Sequence, residues 1–241
     1  MYLYGKNSVF ERLKAEPGSV RAIFFEENFS DERITHLAKQ ARIPTKWLKA
    51  RDLAKIKRAD RLQGIVAEVK AFLYIPFKKL LQCAAKNGYS LICLDSLNDP
   101  HNLGSIIRIA ACFGGFAVVV PEHGSCEVTD TVMHVASGGE NFVPVSRVTN
   151  MTTSLLRAKE AGYWIAGAVV SGGEDITKVS LPSPLCLVLG SEGKGIRHGL
   201  VKHLDLKITL PMKGAPLSLN VAMASAVLCY EILRQKYSKE K

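Results

Sequence analysis

The sequence lacks the cysteine and histidine spacings of a metal or disulfide protein. Its six cysteines form no C-x-x-C pair, and His101, His134 and His198 show no metal-ligand spacing. Four cysteines lie within apolar runs: Cys93, Cys112, Cys186 and Cys229. We therefore expect reduced, buried thiols and no metal site.

Long apolar runs are also missing. No stretch approaches the roughly 20 apolar residues that cross a bilayer. The first residues, MYLYGKNSVFERLK, lack the apolar core of a signal peptide. We therefore expect a cytoplasmic protein without a membrane anchor.

The composition is that of an ordinary globular protein. Of the 241 residues, 47% are hydrophobic and 22% are charged, which excludes a largely disordered chain and allows one or two domains. The formal net charge of +10 favours a polyanionic partner.

Much of the positive charge lies in one stretch, residues 42–61. It holds eight lysines and arginines against two aspartates, so its balance is +6. Four of these residues are predicted to contact a polyanion such as RNA: Lys55, Lys57, Arg58 and Arg61. The alternative is a solvated helix face, the ordinary role of such a run.

The pattern of elements changes along the chain. Residues 1–72 alternate short helical and extended patterns, which predicts a small α/β domain. Residues 73–88 form a junction, interrupted by Pro76, together with the first helix of the next domain. Residues 89–241 alternate short apolar strands with helices, which predicts a mostly parallel sheet covered on both faces.

Three polar turns follow strands of this second domain. They are NDPHNLGS (98–105), LGSEGKGI (189–196) and LPMKGAPLSLN (210–220). Ligands of open α/β sheets bind at the carboxyl ends of the strands, where glycine lets the backbone approach closely. The second turn is not a Walker A loop, and no early G-x-G-x-x-G is present.

Arg108 is the only charged residue between Leu103 and Gly115. Its helical neighbours are small, which leaves room for close approach by another group: Gly104, Ser105, Ala111 and Cys112. One interpretation is an anionic substrate; the other is a buried ion pair with Asp95, Asp99 or Glu192. Asn102 and Ser218 can be plain helix caps, and Glu192 a first-turn anion.

In this order the three turns resemble the motifs of the SpoU/TrmH family of RNA ribose 2′-O-methyltransferases. The resemblance extends through ASGGENFVPV (136–145), and GKNSVFERL (5–13) and LQGIVAEV (62–69) resemble the small substrate-binding domain of the ribosomal-RNA members. It covers nearly the whole chain, with slight departures at Ile109 and at Ala222-Met223.

The resemblance implies a fold, a cofactor and an assembly. The catalytic domain would be an α/β knot, a trefoil-knotted and mostly parallel sheet, beside a small N-terminal α/β substrate-binding domain. The protein would be a homodimer that binds S-adenosyl-L-methionine and RNA. Nothing in the periodicity indicates a knot, and general rules argue against one.

The resemblance also assigns site residues. Those expected at the cofactor are Gly190, Leu210, Met212 and Leu219. Those expected at the reaction centre are Asn102, Arg108, Glu192, Ser218 and Asn220. The favoured substrate is a guanosine of large-subunit ribosomal RNA, with transfer RNA as the alternative; a non-catalytic RNA-binding protein and a metabolic nucleotide-binding enzyme are the competing functions.

Overall fold

The structure is a computed structural model that describes residues 1–214 and 217–239. Within these residues the chain forms two β-sheets, one of four strands and one of seven. No helix in the described ranges is long and apolar enough to cross a membrane.

The small sheet belongs to the first 70 residues. Its strands are β1 (Tyr2–Tyr4), β2 (Val20–Glu26), β3 (Thr45–Leu48) and β4 (Ile65–Val69), in the order β1-β4-β2-β3. Its helices are α1 (Lys6–Ala15), α2 (Glu32–Gln40) and α3 (Ala50–Ile56). Asp31 starts α2 as its side chain accepts hydrogen bonds from the amides of Arg33 and Ile34. The predicted small α/β unit is therefore present.

The large sheet is built from the rest of the chain. Its strands are β5 (Ser90–Leu94), β6 (Phe116–Pro121), β7 (Val145–Val148), β8 (Trp164–Ala168), β9 (Glu174–Asp175), β10 (Leu185–Leu189) and β11 (Leu206–Thr209). Its helices are α4 (Phe77–Asn87), α5 (Pro100–Phe113), α6 (Asp130–Ala136), α7 (Met151–Glu160), α8 (His198–Val201) and α9 (Val221–Lys239).

All pairings between these seven strands are parallel, in the order β7-β6-β5-β10-β8-β11-β9. Alternate residues of β5 enter different hydrophobic clusters: Ile92 joins one, and Leu91 and Cys93 join the other. Both faces of the sheet are thus covered, which confirms the predicted mostly parallel sheet.

The cysteines differ from the expectation at one position. Cys93, Cys186 and Cys229 are buried and free, whereas Cys112 is exposed. Cys112 lies on the outer side of α5, so its apolar sequence neighbours were a poor guide to its burial.

The two sheets are joined through α1, β1 and α6. Asp130 at the start of α6 accepts hydrogen bonds from the Tyr2 amide at 3.2 Å and from Lys57 Nζ at 2.7 Å. The His134 ring stacks on that of Tyr4, with centroids 4.1 Å apart. Helix α6 is therefore the main surface on which the first 70 residues rest.

Candidate active site

Strands β5, β10 and β11 end at the same edge of the large sheet because the sheet is parallel. The three polar turns predicted from the sequence follow these strands, so the fold brings them to one edge. This is the edge at which ligands of open α/β sheets bind.

Asp95 ties the first turn to the second. Its side chain is fully buried and accepts hydrogen bonds from the Arg197 amide at 2.7 Å and from Arg197 Nε at 2.6 Å. Its own amide donates to the carbonyl of Leu189 at 2.7 Å. A buried carboxylate needs such partners, and these fix the spacing of the two turns. Sequence reasoning considered Asp95 only as a partner of Arg108.

Asn102 makes a second link between the same turns. Its Nδ2 donates to Glu192 Oε1 at 2.8 Å. Asn102 does not cap α5: that role belongs to Asp99, whose side chain accepts from the His101 amide at 2.8 Å. The expectation of an Asn102 cap was wrong because Asp99-Pro100 starts the helix earlier, which leaves the buried amide free to reach Glu192.

The second turn folds back on itself. Ser191 and Gly195 exchange two backbone hydrogen bonds, and Gly193 and Gly195 have φ of 81° and 65°. A Cβ at Gly190 would overlap the backbone of Gly195. Only glycine fits this position, because the backbone of the same turn packs where a side chain would begin.

A cleft of about 510 Å³ opens between the second and third turns. All four predicted cofactor residues line it: Gly190, Leu210, Met212 and Leu219. So do three of the predicted reaction-centre residues: Glu192, Ser218 and Asn220. The volume and the mixture of apolar side chains with a few polar groups are typical of a small-molecule site.

The third turn ends at α9. Asn220 caps this helix, as its Oδ1 accepts from the Met223 amide at 2.8 Å. Ser218 is exposed in the cleft and does not cap the helix. Part of the motif, residues 215–216, lies outside the described residues.

Arg108 does not line this cleft. It is exposed on α5 and forms no ion pair with a described residue. The buried-pair interpretation is therefore wrong, since Asp95 pairs with Arg197, Asp99 is the α5 cap, and Glu192 binds Asn102. The guanidinium is available to a group outside the chain.

The small residues beside Arg108 accommodate the protein's own backbone. A Cβ at Gly104 would lie 2.7 Å from the carbonyl oxygen of Val132 in α6. A Cβ at Gly139 would lie 3.2 Å from the Cβ of Ala111. The expected close approach is real, but at Gly104 and Ala111 the approaching groups are α6 and Gly139, and not a substrate.

The predicted RNA-binding residues divide into two groups. Arg58 and Arg61 are exposed, and Lys55 is exposed beside Asp52, with Nζ and Oδ1 2.6 Å apart. Lys57 is different: its side chain is 22% exposed and binds Asp130 of the other domain. Lys57 is therefore partly buried in a contact between the two parts of the chain, which the run of charge could not reveal.

Among the described residues, no group of three or more histidine, cysteine, aspartate or glutamate side chains could hold a metal ion.

Two family models match this chain. The SpoU rRNA methylase family matches residues 89–230, and the model described as RNA 2′-O ribose methyltransferase substrate binding matches residues 2–75. Together they cover both sheets.

Curated relatives extend over the whole length. The 23S rRNA (guanosine-2′-O-)-methyltransferase RlmB of Nitrosomonas europaea is 34% identical over 238 residues, which cover 97% of this chain and 91% of the relative. RlmB of Ralstonia nicotianae is also 34% identical over 238 residues, with 97% and 95% covered.

The fold has solved counterparts. The SpoU methyltransferase AviRb from Streptomyces viridochromogenes, solved in complex with AdoMet, superposes with a TM-score of 0.80 at 21% identity and covers 99% of this chain and 91% of its own. Because both family models and relatives of similar length match it, the chain belongs to the SpoU rRNA methylase family.

Proposed function

We propose that this protein transfers a methyl group from S-adenosyl-L-methionine to a ribose 2′-hydroxyl of structured RNA. The favoured target is a guanosine of large-subunit ribosomal RNA, the activity for which the RlmB relatives are named. The observation that carries the proposal is the cleft at the sheet edge, where all four predicted cofactor residues and three predicted reaction-centre residues meet.

The cleft suits the cofactor. Leu210, Met212 and Leu219 offer apolar contacts to an adenine ring, and Gly190 lines the cleft at the start of the second turn. When bound, S-adenosyl-L-methionine supplies an electrophilic methyl group. The residues around it must align the ribose oxygen and promote loss of its proton.

Glu192 and Asn102 are suited to substrate alignment. The Asn102 amide holds one carboxylate oxygen of Glu192, and the other makes no hydrogen bond to a described residue. That oxygen can accept a hydrogen bond from the substrate at the rim of the cleft. Ser218, exposed in the cleft, or an RNA phosphate is the proposed acceptor or relay of the hydroxyl proton.

Arg108 acts as an electrostatic clamp in this proposal. A permanently protonated guanidinium is a poor base, but it can stabilise a developing 2′-oxyanion and the adjacent phosphate. Because Arg108 lies outside the cleft of its own chain, a second copy is the proposed source of this group.

The homodimer has a candidate surface on α9. Met223, Val227 and Tyr230 are 60%, 46% and 58% exposed, and their spacing places them on one face of the helix. We call these three residues the α9 stripe. Ala222 and Ser225 of the same helix are buried within the chain and are not part of this surface. An exposed apolar stripe is typical of an interface, and Tyr230 contacts Phe113 of α5, the helix of Arg108.

RNA is proposed to bind the small domain through Lys55, Arg58 and Arg61. These side chains are exposed at the end of α3 and just after it. The proposed domains are residues 1–72 and 89–241, joined by 73–88. The trefoil knot and the cytoplasmic location stay predictions.

Label transfer tests the function. The protein is incubated with methyl-labelled S-adenosyl-L-methionine and, separately, with transcripts of large-subunit ribosomal RNA and transfer RNA. We expect label in the ribosomal RNA, at a phosphodiester that resists alkaline hydrolysis because its 2′-oxygen is methylated. Label in transfer RNA alone would support the alternative substrate.

The competing functions give different results. A non-catalytic RNA-binding protein would bind RNA without transfer of label. A metabolic nucleotide-binding enzyme would show neither RNA binding nor the strong salt dependence that phosphate contacts produce. Either result would contradict the proposal.

A further inference from the structure

A buried ion pair joins the two domains, away from the candidate active site. Arg12 of α1 donates from Nη2 to Oε1 of Glu140 at 3.2 Å, and their side chains are 8% and 0% exposed. Arg12 Nε and Glu140 Oε2 are buried without a hydrogen-bond partner among the described residues. The hydrogen-bonding groups of this pair are thus only partly satisfied. They lie in the protein interior, where an unsatisfied polar group costs the most free energy.

Stability alone does not explain such a pair. Removing two charges from water costs more free energy than an incompletely hydrogen-bonded ion pair recovers. Well-packed apolar residues of similar volume often stabilise a protein at least as well. What the pair does provide is a fixed geometry. Arg12 and Glu140 meet only if α1 and the segment around Glu140 keep one relative position.

That segment is a turn of residues 138–141, which we call the spacer turn. A Cβ at Gly138, which has φ of 93°, would lie 2.5 Å from the Cβ of Glu11 on α1. A Cβ at Gly139 would lie 3.1 Å from the Cα of Arg108 on α5. The two consecutive glycines therefore touch α1 on one side and the helix of Arg108 on the other.

Helix α6 provides a second route between the same elements. Its Asp130 binds Lys57 and its His134 stacks on Tyr4, both in the small domain. On its other side, the backbone of Val132 lies against Gly104 of α5. Both routes end on α5, which carries Arg108 and Asn102.

From these contacts we infer that Glu140 is a positioning residue for RNA methylation. The Arg12–Glu140 pair and the spacer turn set the distance between the small domain, where RNA is held, and the α5 helix, where Arg108 meets the reacting ribose. The inference rests on the proposed function. It identifies the contacts through which RNA bound to the small domain is aligned with α5.

Replacing the pair by apolar residues tests the inference. In a variant with Arg12→Met and Glu140→Leu, we expect the denaturation midpoint to stay or rise and cofactor affinity to be unchanged. The single-turnover rate at saturating RNA should fall by up to about 100-fold, the scale of a misplacement of roughly 1 Å. The loss should appear in this rate and not in RNA affinity, because the exposed basic residues are untouched.

A glycine pair provides a matched comparison that keeps the ion pair. Gly139→Ala places a methyl group against the backbone of Arg108, whereas Gly18→Ala, also in a short helical turn, meets no atom within 4 Å. We expect Gly139→Ala to lower the same single-turnover rate and Gly18→Ala to leave it unchanged.

The outcomes separate the two claims. If the wild-type protein methylates RNA while the double variant and Gly139→Ala both keep rates within about threefold of it, the positioning role is wrong and the proposed function stands. If the variants lose rate only in proportion to lost folded protein, the pair is merely structural and the inference is also wrong. If the wild type transfers no methyl group to RNA, the proposed function fails and this inference with it.

Discussion

Arg108 carries a charge that no described side chain neutralises. It is exposed and forms no ion pair with a described residue. Arg108→Ala should therefore change the free energy of unfolding by no more than about 0.5 kcal/mol, as is usual for surface substitutions. The single-turnover methylation rate should fall by roughly two to three orders of magnitude, the scale of losing one oxyanion donor.

Arg108→Lys is the companion variant. A point charge on a flexible stem does not reproduce a planar fork of donors, so we expect little recovery of the rate. Cofactor affinity should stay near the wild-type value in both variants because the four predicted cofactor residues of the cleft are unchanged. Near wild-type methylation by the alanine variant would remove Arg108 from the reaction centre.

Glu140 should make stability depend on pH. Burial raises the pKa of its carboxyl group above the ordinary value of 4.5, and the nearby Arg12 guanidinium opposes this only in part. Below pH 4.5 the group is protonated in both the folded and the unfolded chain. As pH rises, the unfolded chain ionises first, so the group's contribution to the free energy of unfolding falls until the folded pKa is passed.

Glu140→Gln isolates this contribution. The unfolding free energy of the wild type minus that of the variant should decrease as pH rises from 4.5 and then level off. Chemical denaturation at a series of pH values measures the difference. An increase over the same window would mean that the Arg12 interaction outweighs burial.

At the scale of elements, the basic stretch divides into residues that face solvent and one that faces the other domain. Charge reversal at Arg58 and Arg61 should weaken RNA binding and flatten its salt dependence, by about one unit of slope for each lost phosphate contact. Lys57→Gln should leave the salt slope unchanged and lower stability, since it removes the contact with Asp130. If the wild type and the variant with both charges reversed have equal salt slopes, the basic stretch is only a solvated surface.

Most elements could be predicted because their signals are local. The alternation of apolar strands with helices locates the parallel sheet, and Asp31 marks the start of α2. The start of α5 is harder, because Asp99 and Asn102 are both good caps and the choice depends on Glu192, which is 90 residues away. The two-residue strand β9 has no pattern long enough to detect.

The site could be predicted as a set of loops but not as a set of contacts. The three turns meet at one sheet edge because they follow parallel strands. The small residues around Arg108, in contrast, suit any close neighbour, and only the tertiary structure identifies that neighbour as α6 and the spacer turn. For the same reason the Arg12–Glu140 pair gives no signal in the sequence.

At the scale of the whole molecule, the proposed mechanism requires Arg108 at a cleft that Arg108 of the same chain does not line. A homodimer through the α9 stripe accounts for both the exposed apolar face and the external position of Arg108. In a two-fold interface a patch meets its own copy. A charge introduced into this patch therefore meets the same charge and an apolar surface.

Val227→Arg should for this reason convert dimers to monomers. An unpaired charge is costly at an interface, and like charges facing each other add repulsion. Light scattering should show the monomer mass, and methylation should be lost while each folded monomer still binds S-adenosyl-L-methionine, because Val227 does not line the cleft. Leu156→Arg is the matched control, because Leu156 is an apolar residue of similar exposure, 42%, that lies on α7 and not on the α9 stripe. This variant should remain a dimer. A wild-type protein that is monomeric at micromolar concentration yet active, or a Val227→Arg variant that remains dimeric, would contradict this assembly.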